Sequence, residues 1–236
     1  MVHGTGFGVK IAMTPLLKAK EPFRFYTRLH LSELTGLRAT TLVQLVKLIK
    51  EVPGSCIYHH THRFLQQHQF FSPEPPNDFA YWVTEILGEK ELGERLASID
   101  IMQFSKIHDL REKIISVIEE YLREERFVQL KFAREGEEFH FIKSVSFVIP
   151  TDYVVDNLAD FVEIMKKITF DSIYFHIFEA RLRLEKKTND FSFWIEHSVG
   201  NKELADELTD LDPYTRTLDD LRAAIINIID KRLFNQ

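Results

Sequence analysis

The sequence is poor in the residues that build disulfide scaffolds, loop-rich sheets and membrane spans. It has one cysteine, Cys56, among 236 residues, which excludes an intramolecular disulfide and a zinc site built from several cysteines. Nine glycines and eight prolines are fewer than usual, and this scarcity favours long regular elements over a loop-rich β fold. No apolar run approaches the ~20 residues that a membrane-spanning helix needs. We therefore expect no membrane span.

Charge and composition narrow the class of protein further. The net charge of −6 at pH 7 lacks the basic excess that is typical of nucleic-acid binding. Residues 1–20 show no basic stretch followed by an apolar segment, so no secretory signal is indicated and we expect a cytoplasmic protein. The chain is 44% hydrophobic and contains 20 phenylalanines, which is enough material for a sizeable core. A small molecule or another protein remains as the expected kind of partner.

The two halves of the sequence repeat one pattern. The letters IYHH at residues 57–60 recur as IYFH at residues 173–176, and NDFAYW at 77–82 recurs as NDFSFW at 189–194. The first motif recurs after 116 residues and the second after 112. Apolar and polar positions agree in the same order, which predicts an internal duplication of long units, in contrast to short solenoid repeats.

Hydrophobic spacing predicts the elements of each copy. Apolar residues at nearly every second position predict strands at the start of each copy and at 127–132, where a β-hairpin with residues 139 onward is indicated. Spacing of three to four residues elsewhere predicts helices. We therefore expect a mainly α protein with a small antiparallel β element (α+β) and two similar helical lobes related by an approximate two-fold axis. The expected segments are an N-terminal segment at 1–22 with a strand over 7–13, copy 1 at 23–122, a connector with the first hairpin strand at 123–138, and copy 2 at 139–236.

The histidine that occurs in both copies is expected in the core. On a helix, His60 lies on the same stripe as Ile57, three residues earlier, and His176 lies on the same stripe as Ile173. A buried neutral imidazole needs hydrogen-bond partners for its ring nitrogens. The candidate partners are Asn77 and Asp78 in copy 1, and Asn189 and Asp190 in copy 2.

Two interpretations of this recurring set remain open. It is either a structural tie between one helix and the start of the next, or part of a binding site. Asn77 and Asn189 also stand where helix N-caps belong. If the set binds a ligand, the candidate residues are His60, Tyr58, Asn77, Asp78, His176, Tyr174, Glu179 and Arg181.

Copy 1 alone carries His59 and His62. On a helix these two share a face turned away from the Ile57 stripe, because they are three residues apart. Such a pair can ligate zinc or iron when a carboxylate from another helix joins it, so a divalent metal is the only cofactor indicated. An exposed polar helix face or a protein contact is the other interpretation. The candidate carboxylates are Glu74, Asp78 and Glu85.

Three stretches resemble a prokaryotic family of uncharacterised proteins. They are SCIYHHTHRF at 55–64, PPNDFAYW at 75–82 and YFHIFEARL at 174–182. The resemblance spans nearly the whole chain and implies a domain of unknown function. It also implies a context, because members of that family often lie near genes for glycosyltransferases and sugar metabolism. The resemblance carries over no catalytic residues.

Two functional hypotheses follow. The one we favour is a non-catalytic accessory protein that binds a small molecule or a protein at the junction of the lobes. The alternative is a metal-dependent enzyme of the hydrolase class, in which His59 and His62 hold a metal that lowers the pKa of bound water toward ~7. The sequence leaves open the ligand, the metal and homo-oligomerisation.

Overall fold

The fold is mainly helical and is built around one long antiparallel ribbon. The computed structural model describes residues 18–63, 77–185, 188–211 and 217–234. The strand predicted over 7–13, together with Glu74 and most of the loop before Asn77, lies outside these residues. Within the described ranges, the prediction of a mainly α protein with a small antiparallel sheet is confirmed.

The ribbon consists of two strands of equal length. Strand β1 (Phe23–Ala39) and strand β2 (Phe139–Val155) each have 17 residues. They pair antiparallel, with Phe23 opposite Val155 and Ala39 opposite Phe139. The two strands begin 116 residues apart and are equally long. Near the centre of the ribbon, the paired residues are therefore also 116 positions apart, as His30 and Ser146 are.

The predicted hairpin between residues 127 and 139 is wrong. Residues Arg126–Leu130 form a 3-10 helix, and Phe139 pairs with Ala39 of β1. The alternating apolar residues of this segment are not buried on one face, since Phe127 and Phe132 are largely exposed. β2 instead finds a much longer partner in β1, which a local pattern cannot reveal.

The helices fall into two groups along the chain, one after each strand. Those after β1 are α1 (Leu42–Glu51), α2 (Gly54–Tyr58), the first π-helix (His59–Arg63), α3 (Asp78–Glu85), α4 (Lys90–Ala97), a 3-10 turn (Ile101–Gln103), α5 (Ile107–Glu124) and the 3-10 helix Arg126–Leu130. Those after β2 are α6 (Leu158–Met165), α7 (Phe170–Tyr174), the second π-helix (Phe175–Glu179), α8 (Ala180–Leu184), α9 (Asp190–Trp194), the third π-helix (Ile195–Val199), α10 (Lys202–Thr209) and α11 (Leu218–Phe234).

Each group of helices has its own hydrophobic core. The helices that follow β1 pack against residues of β2, and the helices that follow β2 pack against residues of β1. The first lobe (α1 to α5) buries Phe139 and Phe141 of β2. The second lobe (α6 to α11) buries Phe23 and Phe25 of β1. Each buried phenylalanine contributes about 1.5–3 kcal/mol. The two lobes therefore exchange strand ends, and the unit that packs differs from the predicted repeat.

Both ends of the ribbon are shaped by matching bulges. The register shifts between Leu34 and Arg38, where Gly36 adopts a φ of 76° that favours glycine. The Thr35 hydroxyl donates to the carbonyl of Phe141 at 2.6 Å, and 116 residues later the Thr151 hydroxyl donates to the carbonyl of Phe25 at 2.8 Å. These bulges bend the strand ends into the lobes.

Helix starts also match between the two groups. The Asn77 side chain accepts a hydrogen bond from the amide of Ala80, and the Asn189 side chain accepts one from the amide of Ser192, so both predicted N-caps are confirmed. The first and second π-helices also begin 116 residues apart. The internal duplication itself stays a prediction, which these correspondences support.

Membrane insertion by a helix finds no support in the described ranges. None of the helices there has both the length and the apolar character that crossing a bilayer requires.

Candidate functional site

The histidine shared by both motifs is a buried tie between a helix and a strand. Nδ1 of His60 lies 2.6 Å from the Asp78 carboxylate, and Nε2 of His60 accepts from the amide of Ile142 in β2 at 3.0 Å. Because the carboxylate requires a proton on Nδ1, Nε2 is left as an acceptor. The predicted burial and the predicted Asp78 partner are confirmed.

His176 repeats this arrangement in the second lobe. Its Nδ1 lies 2.7 Å from the Asp190 carboxylate, and its Nε2 accepts from the amide of Tyr26 in β1 at 2.9 Å. Burial lowers the pKa of His176, although the hydrogen bond with Asp190 opposes that shift. Since both ring nitrogens are satisfied, the arrangement fits a structural role that holds each strand edge on the opposite lobe.

The expectation that His59 and His62 share an outward face is wrong. Residues His59–Arg63 form a π-helix, whose wider turn carries both side chains into the interior, and they are 8% and 3% exposed. The His62 ring stacks on Tyr58 at 5.4 Å, and its Nδ1 lies 3.0 Å from the Thr61 hydroxyl. Burial lowers the pKa of each histidine to about 4, so both imidazoles are neutral at pH 7.

The metal site that uses these two histidines stays a prediction without a third ligand. Asp78 is engaged by His60, and Glu74 lies outside the described residues. Across the part of the chain that the structure describes, no three histidine, cysteine or carboxylate side chains come together to hold a metal ion. Nδ1 of His59 is buried and has no hydrogen-bond partner among the residues that the structure describes.

Glu179 forms the centre of a charged cluster where the lobes meet. It ends the second π-helix, is 1% exposed, and accepts hydrogen bonds from Tyr58 of the first lobe and from Arg28 of β1. Its other close partner is His30, whose Nε2 lies 3.1 Å away. Burial by itself raises the pKa of Glu179, but the hydrogen bond from His30 and the charge of Arg28 outweigh it, so the pKa lies below its ordinary value.

Two tyrosines at corresponding positions cross the junction in opposite directions. Tyr58 donates to Glu179 in the second π-helix, and Tyr174 donates to the carbonyl of His62 in the first π-helix at 2.8 Å. Burial, and then the charge of Glu179, raises the pKa of Tyr58 well above its ordinary value. The tyrosines therefore act as neutral donors that join each π-helix to the other lobe.

The ribbon adds His30, Ser144 and Ser146 to the cluster, and none of these three was predicted from the sequence. Nδ1 of His30 lies 2.9 Å from the Ser146 hydroxyl and 3.1 Å from the Ser144 hydroxyl. Alternation along β1 places Arg28 and His30 on one face and Leu29 and Leu31 on the other. That alternation was the only signal in the sequence, and it could not show that Glu179 lies opposite.

The remaining predicted residues lie apart from this centre. The Asn77 amide group donates to the carbonyl of Leu96 at 3.1 Å, in keeping with a structural cap. Arg181 is half-buried, and within the described ranges its Nε has no hydrogen-bond partner. Its neighbour Arg183 bonds Asp190 at 2.6 Å, so it belongs to the His176 tie. Of the predicted ligand-binding residues, the structure thus brings Tyr58 into contact with Glu179 at the junction, and His60 into contact with Asp78 in the first lobe.

These features define a mainly helical α+β protein whose two lobes pack against the ends of a two-stranded antiparallel ribbon. The chain belongs to the family of unknown function DUF5752, whose model matches residues 20–230. It is similar to the solved structure of OrfY from Thermoproteus tenax, with 28% identity, a TM-score of 0.76, and coverage of 93% of this chain and 98% of that one. No curated protein matches the sequence. The predicted membership of an uncharacterised family is confirmed, and its gene context stays a prediction.

Proposed function

We propose that the protein is an accessory factor that binds a partner protein on the open apolar face of the ribbon. The observation that carries the proposal is a row of large apolar side chains at the centre of this face. Leu29, Leu31 and Phe147 are each 50% exposed, and Ile149 is 44% exposed. Contiguous exposed apolar surface of this kind marks interaction sites in folded proteins.

The strand register places these residues side by side. Leu29 lies opposite Phe147, and Leu31 lies opposite Val145. Ile149 lies opposite Thr27, the next position on the same face, so these side chains form one patch on the regular centre of the ribbon between the two register shifts.

The centre of the opposite face packs against the lobes. His30 and Ser144 are buried against the Glu179 cluster, and the His60 tie is hydrogen-bonded at both ring nitrogens. Covering one half-exposed leucine or phenylalanine of the open face contributes about 1 kcal/mol. The apolar face therefore offers the larger gain in binding free energy. The metal-dependent hydrolase gains no third ligand among the described residues, and we do not propose it.

The first partner to test follows from the context that the family resemblance implies. The protein would be mixed with the glycosyltransferase encoded nearest to its gene, and the dissociation constant measured by calorimetry. Phe147→Ser and Leu31→Ser are expected to weaken binding about tenfold or more each, because truncating a buried anchor costs more than 1 kcal/mol. Thermal unfolding would show that both variants keep the fold.

Val43→Ser is the matched control. Val43 is also 50% exposed, but it belongs to helix α1 and not to either strand of the ribbon. Equal affinity of the ribbon variants and the control would contradict the proposed surface. A homodimer that the ribbon variants dissociate would identify a second copy as the occupant. Turnover of a sugar or phosphosugar by the purified protein, lost in His60→Ala, would contradict the accessory role.

A further inference from the structure

A hydrogen-bonded chain of side chains crosses the ribbon face that lies opposite the proposed docking surface. It runs from Ser146 through His30 to Glu179, with Oγ to Nδ1 at 2.9 Å and Nε2 to the carboxylate at 3.1 Å. A hydroxyl, a base within hydrogen-bond reach and a group that orients the base are the signature of an activated nucleophile. The proposed binding of a partner protein involves none of these three side chains.

We propose that Ser146 is a nucleophilic serine that His30 activates, and that it reacts with carboxylic esters and related activated acyl groups. Ser146 and His30 form a cross-strand pair at the centre of the ribbon, so rigid backbone holds both. The proposal goes beyond the accessory function and does not depend on it.

The partners of His30 set its tautomer. Glu179 is an ionised carboxylate and can only accept hydrogen bonds, so Nε2 of His30 carries the proton. Nδ1 is then the free base that accepts the proton of a serine hydroxyl. General-base catalysis requires a base within hydrogen-bond reach of the proton that it accepts, and Nδ1 of His30 lies 2.9 Å from the Ser146 hydroxyl.

Glu179 is itself held in place from two further sides. Tyr58 and Arg28 donate to it, and Arg28 also lies over the Tyr58 ring at 5.7 Å. The carboxylate is buried and kept ionised, so it holds the His30 ring and stabilises an imidazolium when one forms. Glu179 is a positioning residue in this scheme.

Exposure distinguishes the two serines that reach His30. Ser144 is 8% exposed, whereas Ser146 is only partly buried. The His30 side chain behind them is 3% exposed. Ser146 is therefore the less buried of the two serines, and the His30 base behind it is shielded from bulk water. On the same strand face, Nε of Arg28 is a buried donor that has no hydrogen-bond partner among the described residues.

The reaction balances without a cofactor. Oγ of Ser146 forms a bond to the acyl carbon while His30 accepts the serine proton. The ester C–O bond breaks, and the leaving alcohol takes that proton from His30. Water then attacks the acyl-serine with His30 again as base, which releases the acid and restores the serine.

A fluorophosphonate probe tests the nucleophile on the full chain. We expect one covalent adduct, located on Ser146 by peptide mass spectrometry, as the Ser146 Oγ–P bond forms, the P–F bond breaks and fluoride leaves with the serine proton. Ser146→Ala should abolish the adduct, and His30→Asn should slow labelling on the order of a hundredfold. Ser116→Ala is the control, because Ser116 is exposed on α5 and bonds the carbonyl of Lys113, and it should keep labelling near the wild-type rate.

Each alternative outcome is decisive. Absence of an adduct on the wild-type protein, or unchanged labelling in His30→Asn, would show that the hydrogen bonds among Ser146, His30 and Glu179 have a structural role only. Equal labelling of Ser146 and of an exposed serine such as Ser116 would also overturn the proposal. If His30→Asn does not fold, Glu179→Gln replaces it, with slower labelling and a shifted pH profile expected, because the imidazole loses its charged partner.

Discussion

Replacing His62 by phenylalanine is expected to make the fold less sensitive to acid. His62 is 3% exposed, and burial lowers its pKa from the ordinary 6.5 to about 4. In the unfolded chain the imidazole regains its ordinary pKa. Between these two values the unfolded state binds a proton and the folded state does not, so the free energy of unfolding falls as the pH falls.

The magnitude follows from the two pKa values. Above pH 6.5 the imidazole is neutral in both states, and its contribution to stability is complete. Below the folded pKa both states are protonated, and the whole contribution of about 3 kcal/mol is lost, at ~1.4 kcal/mol per pKa unit. Between pH 7.5 and pH 5 the loss from this one residue is about 2 kcal/mol.

Phenylalanine is chosen because the second lobe has phenylalanine at the corresponding position. The corresponding residue 116 positions later is Phe178, which stacks on Tyr174 at 4.5 Å much as His62 stacks on Tyr58 at 5.4 Å. The ring contact is therefore retained while the titrating group is removed. The lost contact with the Thr61 hydroxyl changes stability equally at both pH values, so it cancels in the difference.

Urea unfolding followed by circular dichroism at pH 7.5 and pH 5 measures the effect. The wild-type protein should lose about 2 kcal/mol more than His62→Phe between these conditions. His108→Phe is the control, because His108 is exposed on α5 and should leave the wild-type pH dependence unchanged. An identical pH dependence of His62→Phe and wild type would refute the assignment of a buried neutral imidazole.

Three further predictions concern stability. Glu179→Gln should lower the free energy of unfolding by about 2 kcal/mol in urea, because it weakens hydrogen bonds to a charged group and leaves Arg28 poorly paired; an unchanged midpoint would contradict this. Phe141→Ala should cost about 3–5 kcal/mol and expose first-lobe amides to hydrogen exchange before second-lobe amides, and Phe25→Ala should do the reverse; the same order in both variants would argue against exchanged strand ends. Asn77→Ala should cost about 1 kcal/mol as a lost helix cap, read from thermal unfolding against Asn77→Asp, which keeps a capping oxygen.

The sequence by itself determined the features that depend on short separations. Alternating phenylalanines predicted the starts of both strands, and Asn77 with Asn189 predicted two helix caps that the structure contains. The partnership of His60 with Asp78 was accessible too, because the two motifs recur together at a nearly constant spacing. Each of these follows from local backbone geometry and from the need to satisfy a buried polar group.

The tertiary structure alone decided the rest. Nothing within residues 59–63 marks a π-helix, and its widened turn accompanies a contact with Tyr174 from the other lobe. The pairing of β1 with β2, the exchange of strand ends and the meeting of His30, Ser146 and Glu179 join residues more than a hundred positions apart. Such contacts depend on how whole lobes pack, so a period read along the chain locates candidate residues but not their partners.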